Sequence, residues 1–265
     1  MQHPLLTSTI FWLGVSISVA HGQAAPPDFQ QSRRFYVGLE GVIFANRPTQ
    51  FTQTVPYLGP ADQDLAPRPA LVVGYRATPR LDVELHVQDL PVLTGYSYQR
   101  ELANTYLGFG QSYTQDYLYL PVQAVWRVTG TRSRFGLHVM AGGGPAWTDT
   151  SESLITPTGT QVFTSSGSGT IGVGPVAGPG ATTATVTQYL ARQQGFFMGL
   201  EAGLRGTWQV RPRLGLALTV RQLWATTASA RDLQATISTD NQLIATTMQT
   251  PVRGICTGLG VHYSL

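Results

Sequence analysis

Lysine is absent from this 265-residue sequence, and charged residues make up only 12% of it, about half the share that is usual in soluble globular proteins. The basic residues are all arginines, they are scattered along the chain, and the formal net charge is only +3. A nucleic-acid-binding surface is therefore not expected, since it needs a concentrated basic patch. The single cysteine, Cys256, excludes an internal disulfide and a cysteine-based metal site.

Long apolar runs are also missing beyond the N-terminus, so no membrane-spanning helix is predicted there. Residues 10–20 form an apolar segment followed by small residues that suit cleavage, and this pattern predicts a signal peptide over residues 1–22. A membrane anchor is the alternative reading, but about ten apolar residues are too few to span a bilayer. We predict a periplasmic lead-in over residues 23–34 and one folded unit over residues 35–265.

The last twelve residues, 254–265, read as a strand with one oily face. Apolar or aromatic side chains recur at every second position, and Thr257 is the one exception. Alternate side chains of a strand point to opposite faces, so the other face carries small and polar residues. An exposed strand edge invites aggregation unless it is paired. We therefore expect this strand to pair with the first one, over residues 35–44, and so to close a barrel.

Seven further segments alternate in the same way, which makes eight predicted strands. They cover residues 35–44, 71–76, 81–87, 113–128, 134–147, 195–209 and 214–224. Short and long connections alternate strictly between the strands, and the four long stretches cover residues 45–69, 88–112, 148–193 and 225–247. Outer-membrane barrels have short periplasmic turns and longer extracellular loops. The fold class predicted is all-β: an eight-stranded antiparallel up-and-down transmembrane β-barrel with four long extracellular loops.

The positions of the aromatic residues fit the same interpretation. Seven of them share the parity assigned to the lipid face and lie near strand ends, where amphipathic rings form girdles at the two membrane interfaces. The turn-end girdle is predicted to contain Tyr75, Trp126, Trp208 and Tyr263. The loop-end girdle is predicted to contain Trp147, Phe196 and Trp224.

Charged residues of the strands fall on the opposite parity, which would face the lumen. They are Glu40, Arg76, Asp82, Glu84, Arg127, Glu201, Arg205 and Arg221. An arginine on the lipid face near the bilayer midplane costs roughly 2–4 kcal/mol. Placing the charged residues on the opposite face avoids this cost, which supports the predicted orientation of the strands. Folding each hairpin about its turn sets Arg76 opposite Asp82 and Glu201 opposite Arg221, and lumenal ion pairs are predicted there. A purely structural role is favoured over a ligand or proton path, because side chains nearly fill an eight-stranded barrel.

The chain resembles small Gram-negative outer-membrane β-barrels, the porin-like "outer membrane protein beta-barrel domain" group with OmpA-type architecture. The resemblance rests on residues 116–122, on residues 141–145 and on Gly260, Tyr263 and Leu265 of the C-terminal strand. Leu265 stands where a terminal phenylalanine is common in that family. The resemblance implies export to the outer membrane, contact with its lipid, and recognition of the C-terminal strand by the barrel-assembly machinery. Because the family is functionally mixed, it implies location and architecture more than task.

No catalytic or cofactor motif stands out. His86, His138 and His262 are predicted to face inward, but no pair has metal-ligand spacing, and Gly142 to Gly144 lack the lysine of a phosphate loop. A hydrolase could gather acids from the loops, and the candidates are Asp62, Asp64, Asp89 and Asp149. We expect no enzyme and no cofactor or metal.

The predicted task is a structural or surface-binding role of a monomer through its extracellular loops. Two alternatives stay open. One is a narrow pore for small solutes, and the other is a secreted lipocalin-like binding barrel, whose oily side would face inward.

Arginines gathered at the turn ends suggest contact with lipid phosphates, with ordinary solvation as the alternative. They are Arg33, Arg34, Arg76, Arg80, Arg127, Arg132, Arg134, Arg211 and Arg213.

Overall fold

A computed structural model describes residues 34–52, 57–61, 65–102, 105–129, 134–148, 159–165, 171–173, 182–239 and 242–265. The predicted signal peptide and nearly all of the lead-in lie outside these ranges, as do Asp62, Asp64, Asp149, Arg33 and Arg132. Within the described ranges, no helix is long and apolar enough to span a membrane.

All sixteen regular elements of the described residues are β-strands. In chain order they are β1 (Phe35–Asn46), β2 (Gln50–Phe51), β3 (Leu58–Pro60), β4 (Arg68–Arg76), β5 (Leu81–Leu102), β6 (Thr105–Tyr119), β7 (Val122–Arg127), β8 (Phe135–Trp147), β9 (Gly159–Ser165), β10 (Ile171–Val173), β11 (Thr182–Gln193), β12 (Phe196–Arg211), β13 (Leu214–Ala225), β14 (Arg231–Thr239), β15 (Gln242–Thr250) and β16 (Arg253–Ser264). The predicted all-β class and antiparallel pairing are confirmed.

The larger sheet returns on itself. Antiparallel pairing runs from β12 through β13, β16, β1, β4 and β5 to β6, β7 and β8, and β8 pairs with β12 again. Strand β5 pairs with β7 over its first residues and with β6 over the rest. Because only Leu120 and Pro121 separate β6 from β7, these two strands together fill one position of the ring. The predicted pairing of the first and last strands is present, from Tyr36 opposite Ser264 to Asn46 opposite Gly254.

The ring has two distinct ends. At the turn end, short connections join β4 to β5 and β12 to β13, the latter through Pro212 and Arg213. At the loop end, the long connections leave the ring. Within the β4–β5 turn, backbone groups form local hydrogen bonds, and the Ala77 N–H donates to the Leu81 carbonyl at 2.9 Å.

The oily face of the ring points outward. Val83, Leu200 and Leu218 are 39%, 58% and 59% exposed, whereas Glu84 and Glu201 are buried. Outward and buried residues alternate along whole strands. In β1, every second residue is buried, and the residues between them are exposed or half-buried, from Phe35 to Asn46. This polarity is the reverse of a soluble protein's, because a folded domain in water normally buries its large apolar side chains.

The expectation of long loops is corrected by a second sheet built from those connections. It has six strands in the order β10, β9, β11, β14, β15 and β2. Strand β5 continues to Leu102 rather than ending near Val87, and it forms a long hairpin with β6. In β14, Leu233, Ala235 and Ile237 alternate with polar residues. This apolar run is short and its neighbouring strands are rich in Thr and Gln, so the search for long apolar alternation missed it.

The second sheet packs against the outer part of β5. Side chains from both form one buried apolar cluster, which contains Tyr96, Tyr98, Val186, Leu233, Ala235, Ile237 and Met248. Burial raises the pKa of Tyr96 above its ordinary value. The Tyr96 hydroxyl donates to Gln111 Oε1 at 3.3 Å. The connections at the loop end therefore form a packed extension with its own core, defined here as the loop-end extension.

Candidate functional site

The interior of the ring holds two groups of polar side chains in mutual contact, one around Arg205 and one around Arg221, called here together the central cluster. Its members come from β1, β5, β7, β12, β13 and β16: they are Tyr36, Glu40, Glu84, His86, Gln88, Gln123, Glu201, Arg205, Arg221 and His262. All of them point inward from their strands, because alternate side chains of a strand point to opposite faces. Closure of the ring then brings residues that are distant in the sequence together.

Arg205 is the centre of this cluster. Its guanidinium forms two parallel hydrogen bonds to Glu84, one of them from Nη2 to Oε2 at 2.8 Å, and it lies 3.6 Å from Glu40 Oε1. Fork-to-fork pairing of this kind is the strongest arrangement between arginine and a carboxylate. Tyr36 also donates its hydroxyl proton to Glu84. Its ring leans over Gly74, where a Cβ atom would collide with it.

Two histidines complete the carboxylate contacts. His86 Nε2 lies 2.8 Å from Glu84 Oε2, and His262 Nε2 lies 3.2 Å from Glu40 Oε1. Buried carboxylates are costly unless they are paired and hydrogen-bonded. Glu84 has three hydrogen-bond partners, whereas Glu40 has one, His262, beside its ion-pair contact with Arg205. His138 stands apart, with Nε2 3.0 Å from Thr207 Oγ1. Among the described residues, no group of three or more His, Cys, Asp or Glu could hold a metal ion.

The second arginine of the interior, Arg221, reaches Glu201. Its Nη1 lies 3.0 Å from Glu201 Oε2, and its Nη2 donates to Gln88 Oε1 at 3.1 Å. The predicted register is wrong, because Gly203 and not Glu201 faces Arg221 across the hairpin. An irregularity between Gln209 and Arg211 shifts the pairing. Gly203 leaves the space over which the Arg221 side chain passes, since a Cβ there would come within 2.9 Å of Arg221 Cγ.

The other predicted hairpin pair lies near the turn end. Arg76 faces Asp82 across the β4–β5 pairing, and the Arg76 Nε to Asp82 Oδ1 distance is 3.5 Å. Arg127 is half-buried at the same end and donates to the Phe135 carbonyl at 3.5 Å. These residues are outside the central cluster and partly open to solvent.

An apolar layer fills the loop-end half of the interior, and the charge pattern did not reveal it. Its buried members include Val42, Phe44, Leu90, Val92, Tyr117, Tyr119, Phe197, Leu223 and Cys256. Tyr117 and Phe197 contact edge to face with ring centroids 4.9 Å apart, and the Tyr117 hydroxyl donates to the Gln194 carbonyl at 2.7 Å. The sequence signal that could have revealed this layer is the set of large apolar residues at inward positions of the strands, next to the inward charges.

The predicted aromatic girdle residues lie on the outer face at both ends. Trp126, Trp147, Phe196, Trp208 and Tyr263 are exposed, and Tyr75 and Trp224 are half-buried. Trp147 and Phe196 face each other across β8 and β12 at the loop end. At the turn end, arginines hold two tyrosine hydroxyls: Arg213 donates to Tyr263 at 3.3 Å and Arg34 to Tyr75 at 3.4 Å.

Comparison with solved structures returns outer-membrane proteins. OprG of Pseudomonas aeruginosa shows a TM-score of 0.42 at 12% identity over 88% of this chain and 96% of its own. Outer membrane protein W of Escherichia coli shows 0.39 at 14% identity over 88% and 98%. The outer membrane protease OmpT of Escherichia coli shows 0.32 at 10% identity over 88% and 94%.

No protein-family model matches the chain, and no curated protein matches it. Because every TM-score above is below 0.5, the assignment of the fold rests on the strand pairings and on the exposed and buried faces of the chain itself.

Proposed function

We propose that this chain is an integral outer-membrane β-barrel that crosses the membrane eight times. The crossings are β1, β4, the first part of β5, β7 with the end of β6, β8, β12, β13 and β16. The observation that carries the proposal is the outward apolar face of these strands combined with carboxylates and guanidinium groups buried within the ring. Exposed side chains such as Leu200 and Leu218 are favourable only where acyl chains replace water.

The proposed topology places the turn end in the periplasm and the loop-end extension outside the cell. Short periplasmic turns and longer extracellular connections are the general arrangement of such barrels. The signal peptide, export to a Gram-negative outer membrane, assembly through the C-terminal strand and a monomeric state are parts of this proposal. The pairing of β16 with both β1 and β13 supports a role for that strand in completing the ring.

The proposed role is structural or surface-binding, without catalysis and without steady conduction. The interior is filled by the central cluster and, above it, by the apolar layer, which argues against an open pore. The reversed polarity argues against a lipocalin-like binder, which would be oily inside. Outward contacts fall to the loop-end extension, whose packed core supports a fixed surface.

Fractionation followed by gel electrophoresis tests the proposal. We expect the mature chain in the outer-membrane fraction, with faster migration before boiling than after it, because a folded barrel resists detergent and runs compactly. Recovery in the soluble periplasmic or secreted fraction, with a single mobility, would refute it.

A further inference from the structure

A cavity opens at the turn end of the ring, between the central cluster and the short turns. Five arginines line it: Arg76, Arg127, Arg134, Arg205 and Arg213. Within the described part of the chain, Asp82 is the one acidic residue in its lining. The lining strands come from around the ring, so the cavity is its periplasmic mouth in the proposed topology. We name it the turn-end vestibule.

Of these five arginines, only Arg205 belongs to the central cluster. Arg205 forms the floor and pairs with Glu84 behind it, while Asp82 pairs with Arg76 at the side. Arg134 and Arg213 lie at the rim with exposed side chains. Charges of one sign gathered in a concave site with low-dielectric walls focus the field and raise the local concentration of counter-ions.

Two neutral polar side chains line the vestibule beside the arginines. The Thr207 side chain lines the vestibule, and so does His138, which is 8% exposed. Thr207 donates its hydroxyl proton to the Gly136 carbonyl at 3.4 Å and accepts from His138 Nε2 at 3.0 Å. Donation to a bound anion therefore falls to the guanidinium groups of the lining, which suit an oxygen-rich anion.

We propose that the turn-end vestibule binds a phosphate-type anion. Guanidinium groups match phosphate oxygens in charge and in bidentate geometry. With Arg205 paired to Glu84 and Arg76 to Asp82, the lining still has an excess of positive charge, which disfavours a cationic ligand. A free phosphate from the periplasm and the phosphate of an inner-leaflet lipid head group carry the same chemistry.

The test uses the refolded full barrel and removes charge only at the rim. The variant is Arg134→Gln with Arg213→Gln, and the control is Arg192→Gln with Arg253→Gln, two exposed arginines outside the vestibule lining. One arm titrates inorganic phosphate by calorimetry in a neutral detergent. The other measures phosphatidylglycerol retained by barrels in mixed phosphatidylcholine and phosphatidylglycerol nanodiscs.

We expect the rim variant to bind at least about tenfold more weakly than wild type, since each lost charge-assisted hydrogen bond is worth that much, while the control binds as wild type does. Loss in the phosphate arm identifies a free anion, and loss in the lipid arm alone identifies a head group. Equal binding by wild type, rim variant and control in both arms would overturn the proposal. Gel mobility before and after boiling checks that all three are folded.

Discussion

At the scale of single residues, the interior depends on Arg205. Its guanidinium is buried and serves two carboxylates, from β5 and β1. Removing one partner of a buried ion pair leaves an uncompensated charge, which is more damaging than losing an exposed pair. Arg205 is therefore the residue whose loss the barrel should tolerate least.

We predict that Arg205→Gln lowers the free energy of unfolding by about 3–5 kcal/mol. Urea unfolding of the barrel in lipid vesicles, followed by tryptophan fluorescence, measures it. Arg192→Gln is the matched control, because Arg192 is exposed and such changes usually alter stability by less than about 0.5 kcal/mol. Equal stability of the two variants would contradict a central role for Arg205.

The sequence predicted which residues face inward, but it did not always predict which residues of neighbouring strands face each other. Simple alternation placed Glu201 and Arg221 on the inward face, and the structure places them there in contact. The sequence could not show that Gly203 faces Arg221, because the pairing depends on the exact length of the turn and on a one-residue irregularity near Arg211. A bulge changes which residues face each other and leaves the identity of the inward face recognisable.

At the scale of elements, each ring strand separates an exposed apolar side, which we propose faces lipid, from an interior side. Strand β12 shows this clearly, with Leu200 exposed and the neighbouring Glu201 buried. The predicted ring strands differ from the observed ones mostly at their ends. The aliphatic alternation of the ring strands was long enough to be recognised in the sequence. In β14 it covers only Leu233, Ala235 and Ile237 among Thr- and Gln-rich neighbours, and it was missed.

We predict that Leu200→Arg destabilises the barrel by about 2–4 kcal/mol, the cost of arginine on the lipid face near the midplane. The readout is the free energy of unfolding in lipid vesicles. Leu243→Arg provides the control, since Leu243 is 75% exposed on β15 of the loop-end extension and should face water. A similar small effect at both positions would argue against a lipid-facing β12.

The loop-end extension should unfold separately from the ring. Ile237 is fully buried in its core, and replacing a core isoleucine by alanine usually costs about 2–5 kcal/mol. For Ile237→Ala we predict faster amide exchange and faster proteolysis in β14 and β15, with unchanged gel mobility of the unboiled barrel. Leu243→Ala is the exposed control. Loss of heat-modifiable mobility in Ile237→Ala would show that the two parts are one cooperative unit.

At the scale of the whole molecule, the ring and the extension have different cores. The ring is filled by ion pairs near its middle and by the apolar layer towards the loop end, and the extension packs its own apolar cluster. The sequence predicted the ring and its polarity. It missed the apolar layer and the extension, because which of their side chains meet is set only by the assembled strands.

A filled interior predicts that purified barrels in a planar bilayer carry no steady current. The Tyr117, Tyr119 and Phe197 side chains block the loop-end half, so Phe197→Ala should also remain closed while the central cluster is intact. Reproducible single-channel steps from the wild-type protein would favour the pore alternative.

Spin labelling of the outer face tests the lipid-facing exterior most directly. Single cysteines at positions 200, 218 and 243, in a Cys256→Ala background, would carry nitroxides in vesicle-reconstituted protein. Labels replacing Leu200 and Leu218 should collide with oxygen dissolved in the acyl chains and be shielded from a water-soluble nickel complex, whereas a label replacing Leu243 should show the opposite. Strong collision of the nickel complex with labels at 200 and 218 would contradict a membrane-spanning ring.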